Sequence, residues 1–282
     1  MQRCTKPAAM LKECLENVRR TAPLIHNITN YVTINDVANV LLACGARPIM
    51  SDEAEDAAQI TSVCAGLNIN LGQLHKTGVE GMLRAGKRAN ELGNPVVLDP
   101  VGVGVSDFRR ETAGRLLKEI RFTAIRGNAS EIRALAEGRK TAGGVDADAW
   151  DAVTGGRLER DAAFAKAFSA QTGCIIAMTG RLDLVADASR CFLIRNGKEQ
   201  MSRVTGTGCQ LSGLMAAFLV SNPGKALEAA ASAVCTMGLA GELAFDRMRE
   251  DEGNATYRNR IIDAVYLMTG EELERGARME LL

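Results

Sequence analysis

Aromatic residues make up only 4% of the 282-residue chain, with a single Trp. Stacking platforms for nucleic-acid bases need aromatic faces, so this scarcity argues against one. It also leaves the core to Ala, Val, Leu, Ile and Met. Neither sign of charge is in excess, because 34 Lys and Arg balance 34 Asp and Glu. No overall field draws the protein to nucleic acid, and an anionic ligand must be held by a local site. The eight cysteines include no Cys-x-x-Cys pair, which excludes a zinc knuckle and a dithiol redox motif. Most stand in apolar runs, where a free Cys behaves as a small hydrophobe, the pattern expected of a reducing cytoplasm. No run of about 18 apolar residues occurs, so no membrane span is expected. Residues 1–7 lack the apolar stretch of a secretion signal. Linkers and internal repeats are missing too, so residues 1–282 read as a single domain.

What is present is ordinary globular material, 46% hydrophobic and 24% charged. Short β-rich runs at 23–26, 46–51, 67–71, 95–99, 122–125 and 174–179 alternate with helical runs at 29–44, 53–64, 77–92 and 107–120. Several of the short runs are apolar on both faces, as parallel strands covered by helices require. Gly45 and Gly93 fall where helix C-terminal glycines belong. The alternation predicts an α/β fold with a mostly parallel central sheet and helices on both faces. Runs at 183–186 and 191–195, set off by tight gaps, predict antiparallel hairpins at one edge and bring the sheet to about 8–9 strands. Beyond Thr207 the pattern is nearly all helical, at 207–220, 225–248, 257–268 and 271–279. The stretch 141–151, with Gly143-Gly144 and several acids, reads as a flexible loop.

Three glycine-bearing segments bear on phosphate binding. Gly81 to Arg88 imitates a P-loop, but Arg88 stands where a Ser or Thr should bind magnesium, and the segment lies within a helical run. Gly102-Val103-Gly104 lacks the third glycine of a dinucleotide fingerprint, since Asp107 occupies that position. Asp99, just before it, ends a strand on the side where open α/β sheets bind ligands. It is either a cation-holding carboxylate or the start of a turn. The third segment, Thr205-Gly206-Thr207-Gly208-Cys209, precedes an apolar helix. Exposed backbone N–H groups and the positive end of a helix would make an anion hole there, although two glycines before a helix also suit a plain turn. Asn128 and Glu131 put an amide and a carboxylate one turn apart after another strand, as a functional pair or as an N-cap box. Thr179 places a hydroxyl at the end of a third strand. His26 suits a hydrogen-bonded structural role better than a ligand contact, and His75, at a helix start, has no partner visible in the sequence.

The segments 25–32, 45–50, 98–104, 126–131 and 206–209 together resemble the ribokinase-like superfamily and, within it, the hydroxyethylthiazole kinases of thiamin salvage. The similarity runs from about residue 23 to about residue 267. It implies a ribokinase-like fold and transfer of phosphate from Mg²⁺-ATP to the hydroxyl of 4-methyl-5-(2-hydroxyethyl)thiazole. It also implies a homotrimer with sites between subunits. By resemblance, Met50, Asn30 and Gly206 face the thiazole, and Arg126 and Thr179 contact ATP. Asp99 and Glu131 organise Mg²⁺, and Gly206, Thr207, Gly208 and Cys209 form the catalytic anion hole and its neighbour. The wider superfamily has an Asp base where this chain has Cys209, as hydroxyethylthiazole kinases do. A helix N-terminus can lower a Cys pKa, so Cys209 is expected to orient the hydroxyl or weakly accept its proton. Two other readings compete: a hydroxymethylpyrimidine or pyridoxal kinase of the same fold, and a catalytically weak ATP-binding regulator.

Overall fold

The computed structural model describes residues 7–138 and 157–282, so the segment read as a flexible loop, 141–151, lies outside the described residues. Nine strands form one sheet. Six are parallel: β1 (Leu24–Ile28), β2 (Arg47–Met50), β3 (Gly66–Asn70), β4 (Val96–Asp99), β5 (Ala124–Asn128) and β6 (Ile175–Thr179). Then β7 (Asp183–Ala186), β8 (Cys191–Ile194) and β9 (Met279–Leu281) add on antiparallel, giving the order β2-β1-β3-β4-β5-β6-β7-β8-β9. The expected hairpins are therefore present, and the strand count meets the upper end of the expectation.

Side chains along a strand point alternately to opposite faces, and the core divides accordingly. Ile175 and Ala177 of β6 join one cluster, whereas Ile176 and Met178 join the other. The first cluster packs under α1 (Pro7–Thr21), α2 (Ile34–Cys44), α8 (Thr207–Ser221), α9 (Ala226–Asp246), α10 (Asn254–Leu267) and α11 (Gly270–Gly276). The second lies under α4 (Lys76–Leu92), α5 (Asp107–Glu119), α6 (Ala129–Glu137) and α7 (Leu158–Thr172), with α3 (Ala57–Val63) beside α4. Helix α8 is apolar all round because it is covered all round, by the sheet on one side and by α1, α2 and α9 on the others. Truncating its fully buried Leu214 to Ala would cost about 2–5 kcal/mol.

The P-loop imitation dissolves into helix packing. Gly81 and Gly86 lie inside α4, where a Cβ on Gly81 would come within 2.7 Å of the Asp52 carbonyl oxygen and one on Gly86 would strike the Ile120 side chain. Gly45 and Gly93 do end their helices, at φ values of 96° and 71°.

Other boundaries differ from the sequence reading. The helix expected from residue 29 begins at Ile34, because Asn30 Oδ1 accepts both the N–H and the hydroxyl of Thr33 (3.2 and 3.1 Å) and turns the chain first. The helix expected over 271–279 stops at Gly276, and the chain enters β9. There the Arg278 guanidinium clasps the buried Glu242, and its backbone N–H donates to Asn196 Oδ1 (2.7 Å). Helix α1 and α7 have no counterpart in the sequence reading. No helix among the described residues is long and apolar enough to cross a membrane.

Candidate active site

The carboxyl ends of β3, β4, β5 and β6 converge on the N-terminus of α8. Gly206 precedes that helix in the left-handed region (φ 85°) and has no side chain to cap it. The first intrahelical bond runs from the Gln210 N–H to the Gly206 carbonyl (2.9 Å), so the N–H groups of Thr207, Gly208 and Cys209 have no partner within the helix. The Arg126 guanidinium, from β5, lies against this end. A Cβ on Gly208 would fall 2.5 Å from its Nη1. Its Nη2 donates to Thr179 Oγ1 on β6 (2.7 Å), and Nη1 stands 3.5 Å from Asp99 Oδ2. A buried cation packed against the positive end of a helix is an arrangement that attracts an anion.

Asp99 ends β4 and is fully buried. Its Oδ2 accepts from Asn70 Nδ2 and from Ser212 Oγ, each at 2.8 Å, while its Oδ1 has no hydrogen-bond partner. Burial pushes its pKa up, and Arg126, Ser212 and Asn70 pull it part of the way back. Glu131 closes the N-cap box of α6. Its Oε2 accepts the Asn128 N–H (2.9 Å), and Asn128 Oδ1 accepts the Glu131 N–H (2.8 Å). Its other oxygen accepts the Gly102 N–H (2.9 Å), which ties the loop after β4 to the start of α6. The capping reading is thus realised, and Glu131 also lies within electrostatic reach of Asp99: burial and then the Asp99 charge push its carboxyl up to about 7.

Cys209 lies in the first turn of α8, and its sulfur accepts from Asn70 Nδ2 (3.3 Å) and Asn30 Nδ2 (3.4 Å). Its pKa runs opposite to the helix-terminus expectation. Burial, and after it the Asp99 charge, push the thiol up against the pull of Thr33, Arg126 and Asn30. Burial thus favours the protonated thiol of Cys209, the opposite of the thiolate that a helix start can favour.

The structure therefore joins Asn30, Asp99, Arg126, Thr179, Gly206, Thr207, Gly208 and Cys209, with Glu131 one loop away. Met50 is not among them. It ends β2 at the sheet edge, half-buried, in register with Asn27. His26 is buried and structural, with Nδ1 2.9 Å from Thr61 Oγ1 and Nε2 3.0 Å from the Ser51 carbonyl. His75 has a partner after all, the ring of Tyr31 at 5.8 Å.

Three residues escaped the sequence reading. Asn70 and Ser212 hold Asp99. Arg109 donates through Nη1 to the Leu71 and Val101 carbonyls and through Nη2 to that of Gly72 (2.9 Å), fastening the loops after β3 and β4. Asn68 and Asn70 did leave a signal, since two amides in an otherwise apolar parallel strand must find buried partners. Ser212 follows Gly208 by one helical turn, which sets it on the face that carries the anion hole.

Comparison with known proteins shows the family. Residues 15–271 match the profile of the hydroxyethylthiazole kinase family. A hydroxyethylthiazole kinase of Clostridium acetobutylicum is 54% identical over 271 residues, covering 96% of this chain and 99% of that one. One from Desulfovibrio desulfuricans is 43% identical, covering 95% and 96%. Among solved structures, the hydroxyethylthiazole kinase protein of Pyrococcus horikoshii superposes with a TM-score of 0.85 at 32% identity, covering 96% of this chain and 98% of that one. The pyridoxal kinase of Staphylococcus aureus in complex with AMP-PCP shares the fold alone, at 13% identity, a TM-score of 0.62, and coverage of 92% and 98%. With its ribokinase-like sheet, its polar strand ends and near-complete alignment to these relatives, the chain belongs to the hydroxyethylthiazole kinase family.

Proposed function

We propose that this protein transfers the γ-phosphoryl group of ATP to the primary hydroxyl of 4-methyl-5-(2-hydroxyethyl)thiazole. The observation that carries the reading is the buried Arg126 guanidinium packed on Gly208 at the uncapped start of α8, beside Asp99. Phosphoryl transfer asks mainly for positioning and for charge aimed at the equatorial oxygens. The N–H groups of Thr207, Gly208 and Cys209 supply those donors, and Arg126 and Thr179 hold the nucleotide's phosphates. Gly206 and Asn30 face the alcohol. Met50, at the sheet edge, completes the thiazole pocket of a neighbouring subunit in a homotrimer. Tyr31 and Val32, both exposed beside Asn30, are the side chains such a neighbour would cover. Among the described residues the seven cysteines are all free and buried, in keeping with a cytoplasmic enzyme.

The residues fit a hydrated Mg²⁺ ion. Asp99 has a buried oxygen with no partner, and burial, with the Asp99 charge after it, raises the Glu131 pKa, a cost that a nearby cation would reduce. Among the described residues no group of three or more His, Cys, Asp and Glu is arranged to hold a metal ion. Magnesium keeps several waters and binds through one or two carboxylates and substrate phosphates. Asp99 would hold it, and Glu131, with both oxygens on backbone N–H groups, would reach it through water. The ion would neutralise charge on the phosphates. Cys209, a neutral thiol, orients the alcohol more than it deprotonates it.

The test is direct. Purified protein, ATP, magnesium and the thiazole alcohol should give the phosphate ester, detected by mass spectrometry. No ester at millimolar alcohol, with ready phosphorylation of hydroxymethylpyrimidine or pyridoxal, would overturn the reading. No ATP turnover with any of these alcohols would favour a regulator instead.

A further inference from the structure

Asn70 is the last residue of β3, fully buried, and in register with Asp99 on the neighbouring strand. Its amide uses all its hydrogen-bonding capacity. Nδ2 donates to Asp99 Oδ2 (2.8 Å) and to Cys209 Sγ (3.3 Å), and Oδ1 accepts from the Gly72 backbone N–H (2.8 Å) and from Asn30 Nδ2 (3.1 Å). Four groups from four different parts of the chain meet on one side chain: the loop after β1, the loop after β3, the end of β4 and the start of α8.

The orientation of this amide is fixed, because the Gly72 N–H can only donate, so Oδ1 must face it. Turned over, Oδ1 would oppose the Asp99 carboxylate, which needs a donor, and Nδ2 would face the Gly72 N–H. Asn30 repeats the arrangement one strand away. Its Nδ2 donates to Asn70 Oδ1 and to the same sulfur, and its Oδ1 is held by Thr33. Two amides thus converge on Cys209 from one side. Gly72 permits the approach, since a Cβ there would lie 2.8 Å from both Asn30 Nδ2 and Asn70 Oδ1.

We propose that Asn70 is the positioning residue of the transfer reaction, its amide locking the Asp99 carboxylate, the Cys209 thiol and the Asn30 loop into one fixed relation. The inference rests on the kinase reading above. Its four hydrogen bonds all go to protein groups, so Asn70 would act through Asp99, Cys209 and Asn30 rather than on the substrates themselves. With two N–H donors already on it, the sulfur is held in place, and its own S–H is left to meet the alcohol oxygen. A buried row of amides does this better than ionised groups, because it adds no charge beside the phosphates.

The experiment compares Asn70→Ala, Asn70→Asp and Asn70→Ser in steady-state kinetics, with thermal unfolding to select conditions in which each is folded. Wild-type turnover of the thiazole alcohol tests the kinase reading. If the wild type turns over a different alcohol, the variants are compared on that one, so the two ideas fail separately. Expected for Asn70→Ala is a fall in kcat of about 30–100-fold, of the order general acid–base and positioning effects show, with the KM for ATP changing less than threefold. Asn70→Asp, of the same size but without donors, should be worse than Asn70→Ala, because its carboxylate opposes Asp99. Asn70→Ser, which keeps one donor, should fall between wild type and Ala. In a Cys209→Ala background, Asn70→Ala should cost several-fold less than it does alone. The proposal is overturned if Asn70→Ala keeps kcat within threefold of wild type, if Asp is milder than Ala, or if the Asn70 and Cys209 losses multiply independently. Those outcomes mark a packing residue.

Discussion

Asp99 and Glu242 are both buried acids, and the chain treats them oppositely. Glu242, on α9, is saturated. The Arg278 guanidinium donates to both of its oxygens (3.0 and 2.6 Å), the Gly197 N–H donates to one (2.6 Å), and the Asn196 amide lies over both at 3.4 Å. Asp99 also has neighbours, yet one oxygen has no partner, its cation is 3.5 Å away, and burial lifts its pKa. Glu242 has the donors a structural acid needs, whereas Asp99, at the carboxyl end of β4, keeps an unpartnered oxygen beside Arg126 and the start of α8, where a ligand could supply the missing partner.

Asp99→Asn should break the contrast most visibly. The amide keeps an acceptor for Asn70 and Ser212 and removes only the charge. Turnover should fall by about 10³-fold, the size seen when a transition-state electrostatic contact is lost. The unfolding temperature should change little: the under-paired Asp99 charge is gone, while Arg126 loses an ion-pair partner at 3.5 Å and keeps its hydrogen bond to Thr179. Steady-state kinetics beside a thermal melt checks both; a large drop in melting temperature with turnover intact would put Asp99 in the same class as Glu242.

Glu131 gives the next largest effect, and a sign to check. Its carboxyl titrates near 7 in the folded protein against an ordinary 4.5, so the folded state binds the proton more tightly. The stability this contributes is complete below about pH 4.5 and is lost as pH rises through about 7. The loss is at most about 3 kcal/mol over that window. Denaturant unfolding of the ligand-free protein from pH 4.5 to 8 should show the decline, and Glu131→Gln should flatten it. An unchanged slope in the variant would mean that the Gly102 and Asn128 N–H groups already satisfy the charge.

Arg278→Ala probes the saturated acid. It removes two donors from Glu242 and loosens β9 from the sheet edge, at a cost of about 1–3 kcal/mol. The folded variant should keep wild-type kcat, because the hydrogen bonds of Arg278 go to Glu242, Asn196 and Arg195 at the antiparallel side of the sheet. A loss of turnover in folded protein would show that the antiparallel edge reaches the site.

The same contrast explains what was legible in the sequence. Arg126, inside β5, is legible only through the family resemblance, whereas Asp99, Thr179 and Gly206–Cys209 announce themselves by sitting at strand ends or before an apolar helix, where local pattern and ligand geometry coincide. The parallel strands were legible for the same reason, since an apolar run between glycine-ended helices has few other fates. Strand β9 and its Glu242–Arg278 clasp were not, because the partners stand 36 residues apart and the segment before them is helical. Asn70 and Ser212 were missed because their role lies in which side chains they meet, a matter of register between β3 and β4 and of the turn of α8. The direction of the Cys209 shift failed similarly: a helix end is visible in sequence, and the depth at which it is buried is not.

Cys209 yields the smallest expected effect. Its sulfur accepts from two amides and its thiol is pushed up by burial and by Asp99, so at neutral pH it offers an S–H rather than a base. Removing it should cost little more than an orienting hydrogen bond, about tenfold in kcat for Cys209→Ala. Cys209→Asp places a carboxylate where Asn30 and Asn70 already point their N–H groups, with Arg126 close by. Those donors hold the new charge, the carboxylate can accept the alcohol proton, and turnover should match or exceed that of wild type. Kinetics of both variants across pH 6–9 decides the matter. The thiol makes no contribution if Ala equals wild type, whereas an inactive but folded Asp variant would show that the pocket tolerates no further negative charge beside Asp99.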